Sequence, residues 1–164
     1  MRIRVTALLA IGLAAVLAER ALTQGVVMQR NVSLGMAKTI ADATLAACKA
    51  KGYNTSVAVV DRAGQVLVIM RSEQATAQTA EMARRKAYTA RMFRVPTAEF
   101  QKRTEEDPAR VGQRDLDDIL ALSGGVPVQV GSDTIGAVGS AGSTLETDDA
   151  CAKAGIAAVA DLLK

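Results

Sequence analysis

Two short runs rich in β-branched residues, Thr55 to Val60 (T-S-V-A-V-V) and Val66 to Met70 (V-L-V-I-M), are separated only by Asp61-Arg62-Ala63-Gly64 and Gln65. A connection this short cannot carry a parallel crossover, so the two runs must pair antiparallel. Asp61 supplies side-chain turn chemistry and Gly64 is free to take positive φ. The runs are apolar on both faces, which predicts a hairpin buried on both sides. A second strand–turn–strand follows, with Val128-Gln129-Val130, the turn Gly131-Ser132-Asp133, and the return Thr134 to Ser140. Gly136 and Gly139 interrupt that return, and glycine within a strand usually marks a bulge or a close approach of backbone.

Helical periodicity frames both hairpins. Ser33 is placed to cap a helix from Leu34, in which Ala37, Ile40, Ala41, Thr44, Leu45 and Cys48 recur on one face and Gly52 supplies a stop. A second helix is expected over Thr76–Phe93, with Met82, Lys86, Thr89, Ala90 and Phe93 on one face and Arg84, Arg91 and Arg94 to the side. Pro96 ends it, and Thr97 to Phe100 begins a short further helix. Gln101 to Asp118 is charged and without period, the expected surface loop. Ser143 and Glu146 have capping-box spacing for a last helix carrying Cys151, Ala154, Gly155, Ala158 and Leu162 as a small-residue stripe. The class is therefore α+β, a mainly antiparallel sheet of about five strands flanked by helices.

Residues 1–18 read as a secretory leader: a basic start (Arg2, Arg4), an uncharged run from Val5 to Leu17, and small side chains at a cleavage position after Ala18. Ala21 is a fallback, and the cut could fall as late as residue 24. The apolar run is short of the roughly 20 residues that span a bilayer, so the expectation is export to a periplasm or the extracellular space without a stable membrane span. Residues 19–33 then form a flexible N-terminal segment, and 34–164 the folded domain. Cys48 and Cys151 sit in no C-x-x-C pair. In an oxidising compartment they could be bridged; as small buried hydrophobes they could equally stay free.

Composition narrows the chemistry. The chain has no histidine, which removes Ser-His-Asp and Cys-His catalysis and any imidazole ligand for zinc or haem iron. A net charge of +3 and the absence of tryptophan leave neither the basic footprint nor the stacking platform of a nucleic-acid binder. Gly136, Gly139 and Gly142 make G-x-x-G-x-x-G, a weak phosphate-cradle signal beside its simpler reading as strand glycines and a turn. Asp148 and Asp149 favour the dipole of the last helix, which alone accounts for them; metal ligation would need oxygen partners the sequence does not place. The arginine-rich helix is more suggestive. Lys86 and Thr89 share an apolar face with Phe93, and a lysine there is expected to edge a cleft. Tyr88 and Met92, four apart, could touch an apolar, anionic ligand.

The runs V-A-V-V-D-R-A-G-Q-V-L, A-R-R-K-A-Y-T-A-R-M-F-R-V-P-T, G-G-V-P-V-Q-V-G-S-D-T-I-G-A-V-G-S-A-G and D-D-A-C-A-K-A-G resemble the GlcG/HbpS-like haem-binding family, from about Leu34 to the C-terminus. The resemblance implies a profilin-like or PAS-like fold, assembly into rings or octamers, and no established reaction for most members. Exported relatives bind haem and serve in haem or iron sensing, which makes haem or another small anionic ligand the implied partner. Carried over by position, K-A-Y-T-A matches the haem-contacting helix. Lys86 and Thr89 become the best-supported contacts, with Tyr88, Met92 and Phe93 beside them and Gly124, Gly125, Val126 and Pro127 as the adjacent loop. Relatives with an axial histidine find no match here, so haem would be held by oxygen or sulfur ligation from Tyr88, Thr89 or Met92, or mainly by hydrophobic contact, with weak or transient affinity. Other relatives lie beside glycolate-oxidation genes. The alternative reading is thus an accessory or catalytic protein for small 2-hydroxy acids, with Lys86 and the glycine-rich turn as carboxylate holders.

Overall fold

The computed structural model describes residues 25–164; the expected leader and the start of the segment after it lie outside the described residues. The elements run α1 (Leu34–Ala50), β1 (Ser56–Val60), β2 (Val66–Arg71), α2 (Gln78–Phe93), α3 (Thr97–Glu106), β3 (Gly125–Val130), β4 (Asp133–Ala141) and α4 (Leu145–Ala157). The sheet is antiparallel with order β2-β1-β4-β3. It has four strands where about five were expected, because no further apolar run joins it.

The first hairpin forms as its turn chemistry requires. The Asp61 carboxylate accepts the amides of Ala63 at 2.8 Å and Gln65 at 2.9 Å, and Gly64 takes φ +81°. The expectation that both strands are buried on both faces fails for β2. It lies at the sheet edge, and Val66 and Ile69 are exposed while all of β1 is buried. Pro127 is tolerated within β3 because that strand is the other edge.

Two layers of helix cover the sheet. On one face α1 and α4 enclose a core of Val57, Val59, Val138, Ile40 and Ala152. On the other, α2 lays Ala83, Ala87 and Ala90 against Ala58, Ala137 and Ala141. Of the expected face, Lys86, Thr89 and Ala90 are buried, while Met82 and Phe93 are half-buried at its margins and Ala83 and Ala87 take their place. The cause is Gly139. A Cβ there would strike the Ala83 carbonyl oxygen and lie 2.6 Å from the Ala87 amide, so helix and strand are in backbone contact and only small side chains fit between them. Gly139→Ala is expected to cost about 1–3 kcal/mol by overpacking, read as a fall in the urea midpoint; an unchanged midpoint would show that α2 can move out freely.

Three further expectations are corrected. Gln101 to Asp118 is not a plain loop. α3 continues to Glu106 because Phe100 and Thr104 are buried, and a 3-10 segment, Pro108–Asp115, follows under an Asp107 cap. The cap of α4 is Thr144, whose hydroxyl accepts the Thr147 amide, rather than Ser143 paired with Glu146. The small-residue stripe stops at Gly155, since the helix ends at Ala157 and leaves Ala158 and Leu162 exposed. At Gly155 α1 and α4 nearly touch; a Cβ there would collide with the Thr44 hydroxyl. That crossing brings Cys48 and Cys151 to a Cα separation of 5.5 Å, and they are joined by a disulfide.

Candidate functional site

Lys86 is the largest fully buried side chain in the described residues, at 0% exposure. It therefore does not edge a cleft, and the reason is its partner. Its Nζ lies 2.8 Å from Oδ2 of Asp148, itself 2% exposed, and donates to the Ser140 carbonyl at 3.0 Å. The other Asp148 oxygen, Oδ1, accepts from the Ser143 amide and hydroxyl. An aspartate read from sequence as a helix-dipole residue is thus also the counterion of a buried lysine. Burial nevertheless dominates at Lys86 and holds its ammonium below the ordinary lysine range, against the pull of Asp148.

The glycines of the expected loop close this pair in. Gly124 takes φ +118°, and a Cβ there would come within 3.0 Å of Lys86 Nζ and 2.8 Å of Asp148 Cβ. A Cβ at Gly125 would strike the Lys86 carbonyl, and its amide donates to Thr97 Oγ1 at 2.8 Å. Lys86, Gly124 and Gly125 are therefore brought together as predicted, but around an internal ion pair. Val126 and Pro127 are buried in β3. The glycines of G-x-x-G-x-x-G are likewise filled by protein: Gly136 by Val32, Gly139 by α2 and Gly142 by Thr55. Among the described residues no group of three metal-ligating side chains gathers, at Asp148-Asp149 or elsewhere.

Thr89 is also fully buried. Its hydroxyl donates to the Arg85 carbonyl at 2.8 Å and accepts the Leu120 amide at 2.9 Å, so in this conformation it is covered. Phe93 turns the other way. It stacks on Phe100 with ring centroids 4.2 Å apart, under the Arg103 guanidinium.

Tyr88 and Met92 remain half-buried on the outward side of α2. Both pack on the tip of the first hairpin: a Cβ at Gly64 would lie 2.6 Å from Met92 Cε and 2.9 Å from Tyr88 Cε2. The glycine admits the phenol and the thioether together. By helical spacing Tyr88 has Arg84, Arg85, Arg91 and Met92 as surface neighbours. Arg91 is held below the ordinary arginine range, first by desolvation and then by repulsion from Arg62 and Arg94, and its Nε is buried without an acceptor. Arg62 is bonded to Asp133 at 2.7 Å. The result is a phenol and a thioether beside a group of arginines, with the Asp61 and Asp133 carboxylates also facing Arg91; the Nε donors of Arg85 and Arg91 have no acceptor. Sequence reasoning singled out Tyr88 and Met92 and gave Arg91 only as a flanking charge; its spacing three residues from Tyr88 was the available signal.

The sequence profile of the family described as "Haem degrading protein HbpS-like" matches residues 32–157. A curated relative from Citrobacter freundii, an uncharacterised 15.0 kDa protein in the dhaT-dhaS intergenic region, is 33% identical over 122 residues, covering 72% of this chain and 84% of that protein. A solved double mutant of Streptomyces reticuli HbpS superposes with a TM-score of 0.77 at 34% identity, covering 82% of this chain and 90% of that one. A PduOC:heme complex superposes with a TM-score of 0.70 at 23% identity, covering 77% and 94% respectively; at that identity the likeness is one of fold. Sequence and architecture agree, and the chain belongs to the HbpS-like family.

Proposed function

We propose that this protein binds haem or a closely related tetrapyrrole on the outward side of α2, in haem or iron handling or sensing outside the cytoplasm. The observation that carries the reading is the Tyr88–Met92 pair set among Arg91, Arg94 and Arg62. The donor set fits the group. A phenol oxygen and a thioether sulfur are competent iron ligands in the absence of imidazole, and the guanidiniums of half-buried Arg91 and exposed Arg94 suit carboxylate tails. In this reading Tyr88 holds the iron and Met92 lies against the macrocycle. Arg91 and Arg94 take the carboxylates, and affinity is modest because one oxygen ligand replaces the usual nitrogen. Family membership adds support, as does the heme complex on a shared fold.

Titrating haemin into the protein should shift the Soret band, and Arg91→Gln should weaken binding roughly tenfold, about 1.4 kcal/mol. An unchanged spectrum at micromolar haemin sinks the reading. The leader pattern at residues 1–18 and the Cys48–Cys151 bridge support action in a periplasm or outside the cell. Exposed Val66 and Ile69 on the unpaired edge of β2 support self-association into the ring or octamer that the resemblance implies. No helix among the described residues is long and apolar enough to cross a membrane. For the small 2-hydroxy acid reading, the Lys86 ammonium meant to hold a carboxylate already holds Asp148, so nothing in the geometry favours it.

A further inference from the structure

We infer that residues 116–122 form a strap latched across the Arg85–Thr89 turn of α2, and that this strap must lift before a ligand can engage that turn. Three consecutive residues make the latch. The Asp118 carboxylate accepts from Arg84 Nη2 at 2.5 Å, the Ile119 carbonyl accepts from Arg85 Nη2 at 2.6 Å, and the Leu120 amide donates to Thr89 Oγ1 at 2.9 Å. The segment has neither helix nor strand of its own. Its internal support is one backbone bond, from the Ile119 amide to the Leu116 carbonyl at 3.2 Å, and one buried side chain, Ile119.

Leu116, Asp117 and Asp118 are exposed. A segment with few buried contacts and solvent-facing polar bonds belongs to the low end of local stability. Asp118 sits at φ 66°, a conformation unfavourable to a residue with a side chain. Downstream the segment is anchored at Gly124, whose carbonyl accepts the Ser140 amide at 2.9 Å. Under the closed strap the Nε of Arg85 is buried with no acceptor, a donor the latch leaves over. Lifting the strap frees the Arg85 fork and the acceptor side of the Thr89 hydroxyl, whereas Arg84 stays bonded through Nε and Nη2 to the Glu81 carboxylate at 2.7 Å. The freed groups lie one helical turn or less from Tyr88. A flat, anionic ligand held at Tyr88 would then gain contacts that the closed form denies it. The ligand half of this inference rests on the proposed function; the strap does not.

Hydrogen exchange followed by mass spectrometry on the whole protein tests the strap without any ligand. Asp118→Asn tolerates the same backbone but removes the carboxylate. Amides of 116–122 should exchange roughly fivefold faster in this variant while those of β1 and β4 are unchanged. Equal rates in the two proteins overturn the strap. Stopped-flow mixing with haemin tests the gate: association should quicken by a similar factor in Asp118→Asn. Haemin that binds both proteins at the same rate overturns the gate. Haemin that binds neither counts against the proposed function and leaves the strap to be judged by exchange alone.

Discussion

Replacing both cysteines, Cys48→Ser with Cys151→Ser, is expected to lower the free energy of unfolding by about 4 kcal/mol. The bridge closes a loop with a sequence separation of 103, for which the chain-entropy relation gives roughly 4.7 kcal/mol. Residual structure in the unfolded chain takes part of that away. The contribution is large because the bridge ties α1, the first helix of the described residues, to α4, the last helix of the sheet's shared face. Ile40 is the one large side chain beside Gly155; Thr44 there, and Ala41 and Ala152 in the same core, are small. Both sulfurs are buried, with Ser140 Oγ 3.7 Å from Cys48 Sγ, so a thiol reagent should reach them only on unfolding. Urea denaturation of the oxidised protein and of the double variant measures the difference directly. A loss below about 1 kcal/mol would show that the bridge contributes no appreciable restraint to the unfolded chain.

Asp148→Asn is expected to cost about 3–5 kcal/mol, the penalty for leaving a buried ammonium without its counterion. Lys86 enters from α2 on one face of the sheet and Asp148 from α4 on the other, and they meet at the end of β4. The pair is thus the polar pin between the two helical layers. Its two ends must be removed together to separate the worth of the pair from the cost of an orphan. Lys86→Met with Asp148→Leu should recover most of the loss, since a buried pair is often no better than apolar groups of similar size. A single variant that folds as well as the parent would mean that water reaches Lys86.

The same pair sets a pH signature. Lys86 titrates below its ordinary value of 10.5 in the folded chain, so between its folded value and 10.5 the unfolded chain binds more protons. Stability contributed through this group is therefore lowest below the folded value and rises with pH through that window. The difference in urea midpoint between the parent and Lys86→Met/Asp148→Leu, followed toward alkaline pH, isolates it. A difference moving against the parent would reverse the sign and require Lys86 to titrate above 10.5.

The parts of the fold written in local chemistry were readable from the sequence. Asp61 and Gly64 fix the first hairpin, Ser33 and Gly52 bound α1, and the fourfold spacing of Tyr88 and Met92 puts them on one side of α2. What was not readable depends on neighbours distant in the chain. The exposure of β2 follows from its place in the strand order, which hydrophobicity alone does not give, since Val66 and Ile69 are as apolar as Val57 and Val59. The expected face of α2 held for Lys86, Thr89 and Ala90, but the helix packs on Gly139 and so buries Ala83 and Ala87 where a periodicity argument favoured Met82 and Phe93. Lys86 was correctly marked as out of place on an apolar face. Its resolution, Asp148, lies 62 residues away and carried a sufficient local explanation of its own at the start of α4. Thr89 was legible as a polar residue near the site, but Leu120, whose amide covers its hydroxyl, lies just past the charged segment Gln101 to Asp118 and carried no signal of its own.

In the proposed complex Tyr88 holds the tetrapyrrole iron without any imidazole. The absorption and electron paramagnetic resonance spectra of the ferric haem complex, taken for the parent, Tyr88→Phe and Met92→Leu, test it most directly. The account predicts a high-spin ferric signal with a phenolate-to-iron charge-transfer band in the parent, the loss of that band in Tyr88→Phe and its retention in Met92→Leu. A spectrum that Tyr88→Phe leaves unchanged would contradict it.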